Sequence, residues 1–406
     1  MKNKTSFGSP WNFRTLHGKL FAALLGKFGA DYVGEIEDAI QNAFYKALKS
    51  WKPDKLPDNQ ESWLFIVAKN DVLNQLKKQA RWSNDTPDLA TEQHEEPPNE
   101  DLRLKTMLFL AAVPNVSAQM KVIFILKNIF GLHIKEISAA TLLSQEAIYK
   151  GINRAKKNFS QATQNADFDA TFERTTAAEI HIVEEILYAV FNIGFDSFNQ
   201  KIESVINEDL CLEAISLGKI LWTSFSKITT KSLLALCCFH LARIPAKIRE
   251  GKLIPFLQQR TKDWNKDFLD LGFHYLEKPK VLNKYYLEAL IVSKHMTATL
   301  NNDTAHWSDI VTLYKLLLSI ANSPIAKLNL CYSLYKADRM EEAKTLLRTV
   351  EQELPNEHIY LSLVKINMLK DVEELPQAGE AMEQLLKGIH QEIRRAYILE
   401  NMSTNL

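Results

Sequence analysis

The sequence predicts an all-α protein, and three observations carry that prediction. Glycine and proline are sparse, 13 of each in 406 residues. Apolar residues recur at i, i+3 and i+4 over long stretches, with almost no alternation of period two. The hydrophobic content of 46% gives a chain of this length enough to bury in two or three packed domains. The formal charge is zero but unevenly laid out. Residues 1–82 hold 13 basic and 8 acidic groups, 83–120 hold 2 and 7, 121–160 hold 7 and 2, and 161–406 hold 27 and 32. Two basic segments thus flank an acidic one and precede an acidic C-terminal half. That layout points to a polyanionic partner for the first 160 residues.

Taken in order, the spacing predicts a first helix over 13–28, closed by Gly29, and a second over 34–51. The second has a buried stripe of Ile36, Ile40, Phe44, Ala47 and Leu48, and an outer face of Glu37, Asp38, Gln41, Asn42 and Tyr45. A loop of about Trp51–Gln60, WKPDKLPDNQ, follows; its two prolines and Asp58–Asn59 mark a helix start near Gln60. That third helix packs Trp63, Leu64, Ile66, Val67, Leu73 and Leu76. Its other side carries Lys69, Asn70, Asn74, Lys77, Lys78 and Arg81. Aromatics such as Trp51, a polar loop residue such as Asn59 and a basic helix suit melted DNA, where bases stack on rings and cations follow the backbone. Residues 83–100 are polar, acidic and proline-bearing, as a flexible linker would be, leaving two DNA-contacting units free to sit apart on one duplex.

Helices over 101–112 and 117–130, the second capped by Ser117 and closed by Gly131, lead into LHIKEISAATLLSQEAIYKGINRAKK (132–157). This stretch reads as a helix-turn-helix. The first helix runs over 134–141 with Ile137 and Ala140 inward; Leu142 and Leu143 fill the corner, and Ser144 caps the second helix. Ala147, Ile148, Ile152 and Ala155 fall on one side of the second helix. Gln145, Tyr149, Lys150, Asn153, Arg154 and Lys157 fall on the other, a mix that suits base edges and phosphates in a major groove.

From about 177 onward the chain is a succession of amphipathic helices, near 178–192, 206–223, 230–243, 258–277, 284–299, 305–321, 325–337, 340–353, 357–370 and 375–388. From Pro324, the residues Leu330, Cys331, Leu334, Ala343, Leu347, Val350 and Pro355 fit the places of a 34-residue tetratricopeptide repeat. A weaker copy begins near Glu357, with Val364, Met368, Ala378, Met382 and Leu385. Stacked pairs of this kind make a curved solenoid whose concave face receives a partner.

IEDAIQNAFYKALKSW…LPDNQESWLFIVAKNDVLNQLKK resembles region 2 of the extracytoplasmic-function (ECF) sigma factors of bacterial RNA polymerase, and SAQMKVIFILKNIFGLHIKEISAATLLSQEAIYKGINRAKK resembles their region 4. The resemblance implies domains over 10–82 and 101–160 joined by the linker. It implies that Glu37, Asp38, Gln41, Asn42 and Tyr45 meet the clamp of core polymerase. Trp51, Asn59, Lys69, Asn70, Asn74, Lys77, Lys78 and Arg81 would take the −10 element as it melts, and the helix-turn-helix would read the −35 element of promoter DNA. Asn42 stands where an acid is usual, and Gly151 where many relatives carry arginine. ILYAVFNIGF (186–195), ARIPAKIREGKLIPFLQQRTKDW (242–264), YYLEALIVSKH (285–295) and WSDIVTLYKLLLSIANSPIAKLN (307–329) resemble the tetratricopeptide-like extension of one ECF group. Ile193, Phe195 and Arg260 depart from its usual residues. A regulatory protein or ligand is the partner expected on this extension, over 175–406.

Other classes find less in the chain. No Gly-rich phosphate loop, metal-ligand cluster or nucleophile–base pair appears, so neither an enzyme nor a cofactor or metal site is expected. Cys211, Cys237, Cys238 and Cys331 lie in apolar helical patterns and read as reduced core residues; His240, His274 and His295 read as core or partly exposed. There is no apolar run of about 18 residues and no signal-like segment in MKNKTSFGSP, so a cytoplasmic protein is expected. The alternative reading is a stand-alone helix-turn-helix regulator with a helical sensor domain, which leaves the first 82 residues without a role.

Overall fold

The computed structural model describes residues 10–52, 56–83, 98, 100–162, 168–197, 204–298, 303–355, 358–371 and 375–402. These residues form nineteen α-helices, a few 3-10 turns and one two-stranded hairpin, so the all-α expectation holds. The chain divides into two compact units, Met1–Val190 and Phe191–Leu406. Most of the 83–100 linker lies outside the described residues.

The first unit begins with α1 (Pro10–Phe28), α2 (Val33–Ser50) and α3 (Gln60–Ser83). Gly29, at φ +85°, ends α1, and Asn59 starts α3 by accepting a 3.0 Å hydrogen bond from Ser62 N–H. In α2 the buried stripe is Val33, Ile36, Ala39, Ile40, Ala43 and Ala47; Leu48, expected inside, is 64% exposed. In α3 the core face is Leu64, Phe65, Ala68, Val72 and Leu76. Ile66 was expected inside and is exposed, because the residues that pack follow 64, 68, 72 and 76 at spacing four, which puts 66 on the far side.

Next come α4 (Arg103–Ala112), α5 (Ala118–Asn128), α6 (Ile134–Thr141), α7 (Gln145–Ala162) and the short α8 (Phe168–Glu173). Ser117 caps α5, and Gly131, at φ +59°, turns the chain toward α6. These helices do not sit apart from the first three. Helix α1 packs on α4 and α5 as well as on α2 and α3. Phe21 meets Phe124 edge-on at 6.1 Å, Phe124 meets Phe159 of α7 at 4.8 Å, and all three rings are fully buried. The approach is closest at Gly18, where an added Cβ would lie 1.8 Å from the Ile129 carbonyl oxygen. Burying apolar surface on both flanks of α1 holds the helices of the two basic segments together. The two basic segments therefore share one core.

Helix α9 (Ala177–Phe195) crosses the boundary between the units. The second unit continues with α10 (Glu208–Phe225), α11 (Ile228–Lys247), strands β1 (Ile248–Arg249) and β2 (Lys252–Leu253), α12 (Lys266–Tyr275), α13 (Lys284–Thr297), α14 (Thr304–Ile320), α15 (Pro324–Lys336), α16 (Met340–Glu353), α17 (Ile359–Asp371), α18 (Leu375–Lys387) and α19 (Glu392–Met402). Side-chain caps start α10 (Asn207), α12 (Asn265), α13 (Asn283), α14 (Asp303) and α15 (Ser323, followed by Pro324). Most helices pack on a chain neighbour, α12 and α13 both pack on α11, and α19 returns to pack on β2. The helix expected over 258–277 is broken: 3-10 turns occupy Phe256–Gln258 and Thr261–Asp263, and Asn265 restarts the helix. The hairpin was not expected. Its turn, Glu250–Gly251, takes positive φ at both residues, as a tight two-residue connection requires.

In the repeat-like segment, Leu330, Cys331, Leu334, Ala343 and Val350 are buried and Leu347 packs against them, while Pro355 is exposed. Val364, Met368, Ala378 and Leu385 of the following helix pair are buried too, and Met382 is partly so.

Gly18→Ala is expected to cost at least about 3 kcal/mol, because the methyl group and a backbone carbonyl cannot share that space. Gly151→Ala meets only an ordinary 3.5 Å contact with Ile123 and is expected to stabilise α7 by up to about 1 kcal/mol. Urea unfolding of the two variants should move the midpoint in opposite directions.

Candidate nucleic-acid interface

The helix-turn-helix is built from α6 and α7. Glu136 accepts from His133 N–H at 2.8 Å, closing a capping box at the start of α6. Leu142 ends α6 in the left-handed region at φ +58°, and the Ser138 hydroxyl donates to the Leu143 carbonyl at 2.6 Å across the turn. Ser144 Oγ then accepts from Ala147 N–H at 3.2 Å and starts α7. Ile137, Ile148, Gly151, Ile152, Ala155 and Phe159 are buried. Ala140, Ala147 and Leu142, expected inside, are exposed, since the inner side near the turn is taken by Ile137 and Ile148. Gly151 faces Ile123 of α5, so an arginine at this position would point into the core and not toward a groove.

All six residues expected on the outer face of α7 are exposed: Gln145, Tyr149, Lys150, Asn153, Arg154 and Lys157. Lys150 pairs with Glu146 one turn earlier at 2.5 Å. Both members are about three-quarters exposed, so the pair holds little free energy, on the order of 0.5 kcal/mol.

On α3, Asn70, Asn74 and Lys78 are exposed at spacing four, with Ile66 in line before them and Lys77 half-buried beside them. Lys69 does not belong to this face. It is 3% exposed, one residue round the helix from Asn70 and turned inward beside Ala68 and Val72. The side chain of Arg81 lies outside the described residues. Trp51 is half-buried and meets Trp63 edge-on at 5.2 Å, closing the root of the loop whose residues 53–55 lie outside the described ones.

On α2, Asp38, Gln41, Asn42 and Tyr45 are exposed, and the Lys49 ammonium lies 4.3 Å over the Tyr45 ring. Leu48 extends this face, so an exposed aromatic and an exposed aliphatic residue stand among polar ones. The exposed leucine could not be found from periodicity, which counted it inside. Asn42 donates to Asp71 of α3 at 2.9 Å, and Gln79 donates to Glu35 at 2.9 Å. An acid at position 42 would face Asp71, which gives a local reason for the amide. Glu37 is only partly accessible and forms an ion pair with Lys156 near the end of α7.

The helix-turn-helix is fastened to α1 by a two-pronged ion pair. Arg14 Nη2 donates to both oxygens of Glu136, at 2.9 and 3.0 Å, with both side chains mostly buried. Three residues on, His17 Nδ1 lies 3.1 Å from the Asn128 carbonyl, and burial holds its pKa down to about 4, so the ring is neutral at pH 7.

Residues 13–81 match sigma-70 region 2, and residues 179–280 match a family of unknown function (DUF6596). A protein of Rhizobium meliloti (strain 1021) described as uncharacterized is 24% identical over 377 residues, covering 89% of this chain and 88% of its own length. No solved structure matches the chain. No helix among the described residues is long and apolar enough to cross a membrane.

Glu136→Gln leaves Arg14 buried with half its partner lost and weakens the α6 cap; we expect a loss of about 3 kcal/mol in the stability of the first unit. Asn42→Asp, in an exposed pair with Asp71, should cost under about 1 kcal/mol, and the loss should shrink as salt is raised. Denaturant titrations at low and high salt check both. The chain carries a sigma-70 region 2 domain at its N-terminus and a DUF6596 domain C-terminal to it, the first of which is the mark of a sigma factor involved in promoter recognition.

Proposed function

We propose that the chain is an ECF-type sigma factor that binds core RNA polymerase and directs it to promoter DNA, with a C-terminal helical extension that governs its activity. The observation that carries this reading is the joining, in one compact unit, of a sigma-70 region 2 match to a helix-turn-helix with all six outward polar residues of its second helix exposed. Asp38, Gln41, Asn42 and Tyr45, extended by Leu48, form the polymerase-facing side of α2. Glu37 joins that side only when its ion pair with Lys156 breaks, so polymerase binding and the α2–α7 contact compete for one carboxylate. Asn70, Asn74, Lys77 and Lys78, with Trp51, Asn59 and the loop between them, are the surface for the melted −10 strand. The outer face of α7 reads the −35 element. Lys69 is left out of the strand-binding set by its burial. The helix pairs from 324 onward are read as tetratricopeptide-like on their spacing, and as the seat of a regulatory protein or ligand.

Footprinting on promoter DNA with and without core polymerase tests the reading. A sigma factor protects the promoter well only with polymerase; protection by the isolated protein at equal strength would favour a stand-alone regulator. In that assay Arg154→Ala is expected to cost about 1–3 kcal/mol and to relax preference at one −35 position. Lys150→Ala should cost less, because the residue already has Glu146 as a partner.

A chain ending at Val190 retains the whole first unit and tests the extension. We expect it to bind core polymerase yet lose most transcription. Full transcription from the shortened chain under all conditions would show that the extension has no regulatory part.

A further inference from the structure

The second unit buries a cluster of basic side chains. Arg243 and Lys247, one turn apart on α11, and Arg394 at the start of α19 are all largely buried. Asp196, just past α9, pairs with two of them. It lies 2.5 Å from Arg394 and 3.7 Å from Lys247, and also accepts from the Tyr360 hydroxyl. Arg243 has no carboxylate partner among the described residues. Its guanidinium bonds the Gln259 amide oxygen at 3.3 Å, approaches His240 Nδ1 at 3.4 Å and lies flat on Phe256, 3.2 Å from the ring centroid. His240 packs against Phe191 and Phe195 and stays neutral, its pKa held well below the ordinary value by desolvation and by Arg243 and Lys247. Asp196 therefore serves Lys247 and Arg394, and Arg243 has aromatic faces in place of a carboxylate. The Phe195 and Phe256 faces offset only part of that charge.

A second, independent observation lies on the same wall. Asn265 N–H bonds the Ala242 carbonyl of α11 at 2.8 Å, and the Trp264 ring lies 6.5 Å from Phe256, the ring that Arg243 covers. Trp264 is buried, yet its indole N–H has no hydrogen-bond partner among the described residues. A buried donor without an acceptor and a buried cation without an anion, both packed about Phe256, are groups a bound oxyanion would complete. We propose that Arg243, Lys247 and Trp264 form a binding site for a small oxyanionic ligand, carried on a phosphate or carboxylate group, within the second unit. Burial lowers Arg243 to about 9 and Lys247 to about 8, the response expected of cations waiting for a counter-charge.

Calorimetric titration and thermal melting of the full-length protein test the site, with inorganic phosphate, pyrophosphate and citrate as probes and sodium chloride at matched ionic strength as the control. We expect saturable binding and a rise in melting temperature that chloride does not reproduce. A response to phosphate or pyrophosphate alone assigns the group as phosphate; a response to citrate alone assigns it as carboxylate. Trp264→Phe keeps an aromatic ring and removes the donor, and should weaken binding about tenfold. Arg243→Met should abolish binding while leaving the unliganded protein at least as stable, because it removes an uncompensated buried charge. Failure of all three anions to bind wild type, or equal binding to wild type and both variants, overturns the proposal. If Arg243→Met does not fold, Trp264→Phe decides alone.

Discussion

The first unit depends on α1 being buried on both flanks. Leu20, Phe21, Leu24 and Leu25 have almost no exposure, and one side of the helix serves α2 and α3 while the other serves α4 and α5. Gly18 makes the second side possible, since only a residue without a side chain lets the Ile129 carbonyl come so close. Arg14 and His17, each one helical turn or less away, then convert proximity into direction by holding Glu136 and the Asn128 carbonyl. The helix-turn-helix is thus oriented by contacts with a helix more than a hundred residues earlier in the chain.

A second tie runs from α7 to α2 through Glu37. Its carboxylate belongs by position to the exposed side of α2, but Lys156 on α7 draws it into an ion pair. A contact between partly accessible charges is weak and easily exchanged. It sets the distance between α2 and α7 without locking them, while the buried Arg14–Glu136 pair supplies the firmer tie.

In the second unit a comparable part falls to Asp196. It receives Lys247 from α11, Arg394 from α19 and Tyr360 from α17, so a single carboxylate gathers elements from across the unit. Lys252 and Glu400 pair at 2.6 Å where α19 meets the hairpin. The end of the helical array is thereby closed onto its early part, in place of the open end that stacked helix pairs alone would leave.

The sequence by itself determined that the chain is helical, where most helices begin and end, and which polar residues of α7 face outward. Each of these is local, set by a 3.6-residue period, a capping side chain or a left-handed glycine. It also carried the resemblance to sigma region 2, which depends on the order of residues and not on their environment. Tertiary structure decided the rest. Leu48 and Ile66 satisfied an apolar pattern and yet face out, and Lys69 satisfied a polar one and yet faces in, because only the neighbouring helix settles which of two adjacent stripes is covered. The 258–277 segment has helical spacing, but Asn265 N–H finds its acceptor in Ala242 of α11 and the helix restarts there. The Arg14–Glu136 pair that joins the two basic segments and the Arg394–Asp196 pair bring together residues 100 to 200 positions apart, and local pattern carries no record of such contacts.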